Sequence, residues 1–144
     1  MKIKAICTSE KRGTIKYPKT KAKLKKNWGI VGDAHADNWE KQVTILSEES
    51  LRKFEKKYDV KIEYGESAEN LVVTKLDPSE APIGTKFEIG SGIILEVTKI
   101  GKEITDDCPS YDKYKCCPTA EEGLFLKVLK GGTIEVGDEV VILK

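Results

Sequence analysis

The first residues alternate apolar and charged side chains, Ile3, Ala5 and Cys7 against Lys2 and Lys4. A period of two puts each set on one face, so residues 2 to 8 read as a half-buried strand with Cys7 pointing inward. From Ser9 to Asn27 the chain is polar and basic, with Gly13 and Pro18 as breakers, and reads as an excursion outside the core. Gln42 to Leu46 is a short apolar run suited to a buried strand. Ser47 then offers a capping hydroxyl, Glu48 and Glu49 suit the positive end of a helix dipole, and Leu51, Phe54 and Tyr58 recur at helical spacing. Lys53, Lys56 and Lys57 form that helix's solvated face.

Beyond residue 80 the strand pattern takes over. Lys86 to Ile89 and Ile93 to Ile100 flank Gly90-Ser91-Gly92, a hairpin whose glycines supply the positive φ of a tight turn. Leu124 to Leu129 and Val140 to Leu143 continue the series, joined through Gly131-Gly132 and Val136-Gly137-Asp138. Residues 83 to 89 and 136 to 142 share their spacing of branched residues around a turn, which is repeated hairpin chemistry. Such a series predicts a mainly β protein, a closed or barrel-like β-structure with a few short helices. Thr119-Ala-Glu-Glu122 fits a capping box, so one helical turn is expected just after Cys117.

At 144 residues with 39% apolar and 34% charged side chains, the chain can close a core, and residues 1–144 are expected to form a single domain. Lys2 and Lys4 interrupt any apolar leader, and no run approaches the roughly 18 apolar residues of a membrane span, so a cytoplasmic protein without membrane contact is expected. In that setting Cys7, Cys108, Cys116 and Cys117 are expected as reduced thiols, used for packing, metal binding or catalysis. The net charge of +1 hides an asymmetry. Residues 1 to 26 hold ten Lys or Arg and one acid, Glu10, for a local charge of +9. This segment is either a solvated basic loop or the place for an anion.

Four segments carry a resemblance. Gly29-Ile-Val-Gly-Asp-Ala-His35-Ala-Asp-Asn-Trp-Glu-Lys-Gln-Val-Thr-Ile-Leu-Ser-Glu-Glu-Ser50 resembles the N-terminal signature of stand-alone MOSC proteins, and Ala68-Glu-Asn-Leu71 a short F-x-E-N-L element of the same family. Pro82 to Glu103 resembles its central hairpin, and Glu122 to Asp138 its C-terminal block. The resemblance runs in order over nearly the whole chain and implies a MOSC domain, related to the C-terminal domain of molybdenum-cofactor sulfurases. It implies a closed β-structure like the pyruvate-kinase β-barrel, and binding of the molybdenum cofactor (molybdopterin) or carriage of sulfur for it.

In that family the key cysteine lies six residues before the Gly of the C-terminal block, which here is Cys117. A soft thiolate there could ligate molybdenum or hold a persulfide. The alternative is that Cys116 or Cys117 is core, since neighbouring side chains on an extended segment point to opposite sides. Cys108 matches a second family cysteine, but the first of that pair is Ile104 here; Cys108 remains a resolving partner for Cys116 or Cys117. His35 stands between Asp33 and Asp37 as a candidate catalytic group or a turn residue. Asp33, Lys41, Glu69 and Asn70 are candidate cofactor contacts, against structural roles in turns for Asp33 and Asn70. Asp37 replaces a family glycine and Lys41 an arginine, losing its bidentate fork. Lys16, Lys23 and Lys25 represent the basic segment that would hold the cofactor phosphate.

Two functions follow from the resemblance. One is binding of molybdenum cofactor through Cys117 in support of reduction of N-hydroxylated compounds, which needs electron-transfer partners. The other is a non-enzymatic sulfur carrier or cofactor-delivery protein, loaded by a cysteine desulfurase or another cofactor-biosynthesis protein. Pyridoxal phosphate is not expected on this domain, which has no Schiff-base lysine context. Nucleic acid is ranked below both, because the basic segment lacks interleaved aromatics beyond Tyr17.

Overall fold

A computed structural model describes residues 1–104 and 108–144. In chain order they form β1 (Lys2–Thr8), β2 (Tyr17–Lys19), β3 (Lys21–Lys25), β4 (Gly29–Ile30), β5 (Val43–Ser47), α1 (Glu48–Tyr58), β6 (Leu71–Thr74), β7 (Lys86–Ile89), β8 (Ile93–Ile100), α2 (Pro109–Tyr114), α3 (Pro118–Glu122), β9 (Leu124–Lys130), β10 (Gly132–Glu135) and β11 (Val140–Leu143). The fold is mainly β, with a few short helices, as the strand pattern predicts. Among the described residues no helix is long and apolar enough to cross a membrane.

Eight strands pair in the order β11-β7-β8-β9-β5-β6-β1-β2, and β10-β3-β4 form a second, smaller sheet. All pairings are antiparallel except β5 with β6, the two strands joined through α1. The large sheet does not close into a continuous barrel. Its curl nevertheless brings β1 to β11 through a single bridge, Lys2 to Glu139, and through Ile3 N–H donating to Asp138 O (3.0 Å) and Val140 N–H to Met1 O (2.9 Å). Ile3, Ile6, Val43, Ile45, Phe87, Leu95, Leu124 and Leu126 fill the interior so enclosed.

Helix α1 forms as its spacing predicts. The Ser47 hydroxyl accepts from Ser50 N–H, Leu51 and Phe54 are buried, and the chain leaves the helix through Asp59 in the left-handed region. Its apolar stripe covers Leu46, Ile62 and Cys116 as a second cluster outside the sheet. Strand β1 alternates only at its start; a register shift against β6 between Ile3 and Ala5 leaves every residue from Ala5 to Thr8 buried.

Three elements depart from expectation. The basic excursion holds β2 and β3, with β4 just after it, because Ala22 and Leu24 face inward between exposed Lys21, Lys23 and Lys25. Helix α2 lacks a cap signal; its N-cap, Cys108, makes no side-chain hydrogen bond. Helix α3 starts at Pro118 with Cys117 as N-cap, so Thr119 lies inside the helix, buried, and cannot act as the capping box hydroxyl.

Candidate functional site

A turn built on a buried ion pair follows β4. Asp33 is buried, and its Oδ1 accepts from Lys16 Nζ (2.7 Å) and Ser9 N–H (3.1 Å), while Oδ2 accepts from His35 N–H (3.0 Å). Lys16 is also buried and donates to Ser9 Oγ (3.0 Å). Burial lowers the Lys16 pKa and Asp33 acts against that shift, so the charge is kept by its partner. Lys16 therefore anchors the turn and does not offer itself to a phosphate, while Lys23 and Lys25 lie exposed on β3, outside the cavity described next.

Upon this anchor stands an open cavity of about 330 Å³, lined by Arg12, His35, Trp39, Lys41, Lys99, Lys102, Glu103 and Phe125. Trp39 is set by its indole N–H, which donates to His35 O (2.8 Å), and its ring lies parallel to the imidazole. The Arg12 guanidinium sits 4.4 Å from the Trp39 ring, donates to Ala34 O and pairs with Asp37 at 3.6 Å. Asp37, where the family has glycine, thus holds the arginine in place. Lys41 Nζ lies over both Trp39 and Phe125. The opposite wall comes from the end of β8 and the residues after it, tied down by Gly101 N–H to Gly123 O and Lys102 N–H to Ala120 O, both 2.8 Å.

Four cationic side chains and one acid give the cavity a positive lining, and three ring faces give it flat apolar walls. His35 stays neutral there. Burial, followed by the charge of Lys16, lowers its pKa from 6.5 to about 4, against the opposing pull of Asp33. Its buried Nδ1 has no hydrogen-bond partner and stands 3.9 Å from Asp33 Oδ2. The cavity can hold an oxyanion by charge and a planar ring by stacking, beside a neutral imidazole.

Of the residues singled out from sequence, His35 and Lys41 line this cavity and Asp33 supports it from behind. Glu69 and Asn70 do not. Asn70 is fully buried and bridges two strands, its Oδ1 accepting from Thr44 N–H (2.9 Å) and its Nδ2 donating to Cys7 O (3.2 Å). Glu69 is also fully buried; its Oε1 accepts from Ser67 N–H and its Oε2 has no partner. That burial raises its pKa to about 7. Arg12, Trp39, Lys99, Lys102, Glu103 and Phe125 went unrecognised as site residues, although Trp39 lies in the first motif and Lys99, Lys102 and Glu103 in the third.

Cys117 is 0% exposed and does not line the cavity. It is joined to Cys108 in a disulfide across a Cα–Cα distance of 6.4 Å, where reduced thiols were expected. The physical reason is tertiary: two segments nine residues apart are folded against each other within bonding range. As neighbours on an extended segment must, Cys116 faces the α1 cluster while Cys117 faces Cys108 and Ala120. Cys7 and Cys116 are buried free thiols, and burial raises both pKa values, that of Cys7 to about 12, so neither supplies a thiolate near neutral pH.

No curated protein matches the chain. Among solved structures it is similar to the YuaD protein from Bacillus subtilis, with a TM-score of 0.80 at 18% identity, covering 96% of this chain and 93% of that one. YiiM from Geobacillus stearothermophilus matches with a TM-score of 0.74 at 18% identity, over 99% of this chain and 75% of that one. YiiM from Escherichia coli matches at 0.68 and 14% identity, over 100% and 70%. At such identities these likenesses concern the fold. The MOSC domain model matches residues 32–101, the stretch that runs from the Asp33 anchor through His35, Trp39 and Lys41 to the second wall at Lys99 and Gly101. Residues 32–101, which frame the cavity, thus match the MOSC domain, and the fold is shared with these structures along almost the whole chain.

Proposed function

We propose that this protein binds the molybdenum cofactor, with the phosphate of the pterin held by Arg12, Lys41, Lys99 and Lys102. The observation that supports it is the convergence of those four cations with Trp39, His35 and Phe125 on one cavity of about 330 Å³. That volume is at the small end of ligand sites. The donor set suits a phosphate monoester, and the ring faces suit a flat heterocycle. A Cys117 thiolate would meet the metal only after the bond to Cys108 is broken and the buried sulfur, which does not line the cavity, is opened to it, because a disulfide sulfur carries no ligating charge. When bound, the cofactor would supply two-electron oxygen-atom chemistry suited to reducing N-hydroxylated compounds, with electrons from partner proteins. His35, neutral at the wall, would offer a hydrogen bond to a ligand there.

The second reading, a sulfur carrier loaded by a cysteine desulfurase, draws on the same pair of cysteines: once reduced, Cys117 has a neighbouring thiol within bonding range. Expression in a host that makes the cofactor separates the two. Wild type is expected to retain molybdenum and pterin, Arg12→Ala and Lys41→Ala to lose about tenfold in pterin affinity each, near 1.4 kcal/mol, and Cys117→Ala to lose the metal. Equal metal and pterin in all four proteins would sink the assignment, and a persulfide on metal-free wild type after desulfurase treatment would favour the carrier.

A further inference from the structure

We propose that the outer face of the β10-β3-β4 sheet is a platform for single-stranded nucleic acid, with Lys21, Lys23 and Lys25 on its phosphates and Trp28 stacked on a base. This goes beyond the reading of the cavity and does not depend on it. Opposed residues of an antiparallel pair share a face. Ala22, Leu24, Ile30 and Ile134 take the inner face and pack in the core. Lys21, Lys23 and Lys25 of β3, with Thr133 and Glu135 of β10, therefore take the outer one. Val31 follows β4 and lies beside Lys23, donating its N–H to the Lys23 carbonyl; its side chain is 50% exposed. Alternate residues of a strand lie about 7 Å apart. The three lysines thus form a cationic row whose repeat is close to that of successive phosphates along an extended single strand.

Such a row is a poor arrangement for a face that meets only water. Opposite charges across a strand pair stabilise a sheet, yet Lys23 faces Thr133 and Lys25 faces Gly29. Among the described residues, Lys21 alone of the three pairs with an acid, Glu135 at 4.0 Å. Like charges at this spacing repel, and a polyanion laid along the strand removes the repulsion. Exposed Lys26 extends the patch. The aromatic that the basic segment lacks in sequence follows directly after it. The turn between β3 and β4 brings Trp28 back beside Lys25, its N–H donating to Lys25 O at 3.1 Å and its ring 5.8 Å from Lys25 Nζ. Trp28 is 39% exposed. A nucleotide whose phosphate meets Lys25 has its base within reach of the indole, and stacking there requires no particular base. Unpaired bases can use that ring, whereas those of a duplex already stack on one another. None of these lysines, nor Trp28, lines the cavity.

Fluorescein-labelled oligothymidylate of about twelve nucleotides, within the span of single-strand sites, is the probe. Anisotropy at low salt is expected to show micromolar binding, with a log–log salt slope of about −2, as three phosphate contacts give on a single strand. Lys23→Gln with Lys25→Gln should leave a slope of about −0.7. Trp28→Ala should weaken binding about tenfold, and Trp28→Phe should recover most of it. Binding should quench tryptophan emission in wild type and in Trp39→Phe, but not in Trp28→Phe. These side chains are exposed, so the urea midpoints of the variants should match wild type. Arg12→Ala with Lys41→Ala, which alters the cavity, should bind the oligonucleotide as wild type does. No binding at low salt, an unchanged slope in the lysine variant, or full affinity in Trp28→Ala overturns the platform. So does a duplex of the same length bound as tightly, binding of phosphatidylserine vesicles in place of the oligonucleotide, or loss of binding in the cavity variant.

Discussion

Asp33 shows how one residue's role is divided between fold and site. Its carboxylate is buried, receives Lys16 and Ser9 on one oxygen, and holds the His35 backbone on the other. Removing Lys16 leaves a buried carboxylate without its counter-charge, so Lys16→Ala is expected to cost about 3–5 kcal/mol in urea unfolding, and Lys16→Met with Asp33→Asn, which keeps an acceptor for a backbone N–H, to recover part of it. His35 and Glu69 give the protein opposing pH dependences. The folded His35, with its pKa near 4 against 6.5, refuses a proton that the unfolded chain accepts, so its contribution is complete above about pH 6.5 and lost as pH falls toward 4. Glu69, near 7 against 4.5, keeps a proton that the unfolded chain gives up, so its contribution is complete below about pH 4.5 and lost as pH rises toward 7. Wild type should therefore change little in stability between these limits, whereas Glu69→Gln should gain with rising pH and His35→Gln should lose. Urea midpoints across that window, with the same slope in all three proteins, would contradict these environments.

Among the elements, the loop between α1 and β6 carries more of the site than its sequence suggests. Gly65 lies at φ +92°, and a Cβ there would stand 2.0 Å from the Lys16 carbonyl oxygen, while Gly65 O accepts from Lys16 N–H at 2.9 Å. Both backbones are pinned, so neither can give way. Gly65→Ala is expected to destabilise the fold by more than about 2 kcal/mol and to loosen Lys16 from Asp33, visible as a lower urea midpoint and weaker phosphate binding. The strands β2 to β4 show the converse. Their lysines read as an excursion because charge at every second position masks Ala22 and Leu24, which pack inward. A strand whose outward face is so strongly charged is recognised by its few inward residues, and only once its partners β10 and β4 are known.

At the scale of the whole molecule, the seam that brings β1 to the start of β11 is a weak join. It rests on one bridge and a few backbone hydrogen bonds, whereas β8 and β9 pair along six positions. Native-state hydrogen exchange is accordingly expected to open the amides of Ile3, Gly137 and Val140 at lower free energy than those of Leu126 and Val128. Slower exchange at the seam than in β9 would contradict this architecture. The same curl explains the position of the cavity, whose walls come from the turn after β4 and from the end of β8, brought together at one rim of the sheet. The Thr98 hydroxyl joins them, donating to Glu40 O and lying 3.0 Å from Phe125 O.

Sequence alone determined what depends on neighbours along the chain. Periods of two and 3.6, the Ser47 cap and the glycine turns specified β1, α1 and the β7–β8 hairpin, because those signals act over a few residues. The ordered motifs likewise marked His35 and Lys41. Only the tertiary structure decided which polar side chains line the cavity: Lys16, Glu69 and Asn70 look available in sequence, yet each is buried in the fold, while Arg12 and Lys102 are brought to the cavity from far apart. It also decided the state of Cys117. Its spacing singled it out, but its bond to Cys108 depends on two segments meeting in space, a distance that no local pattern encodes.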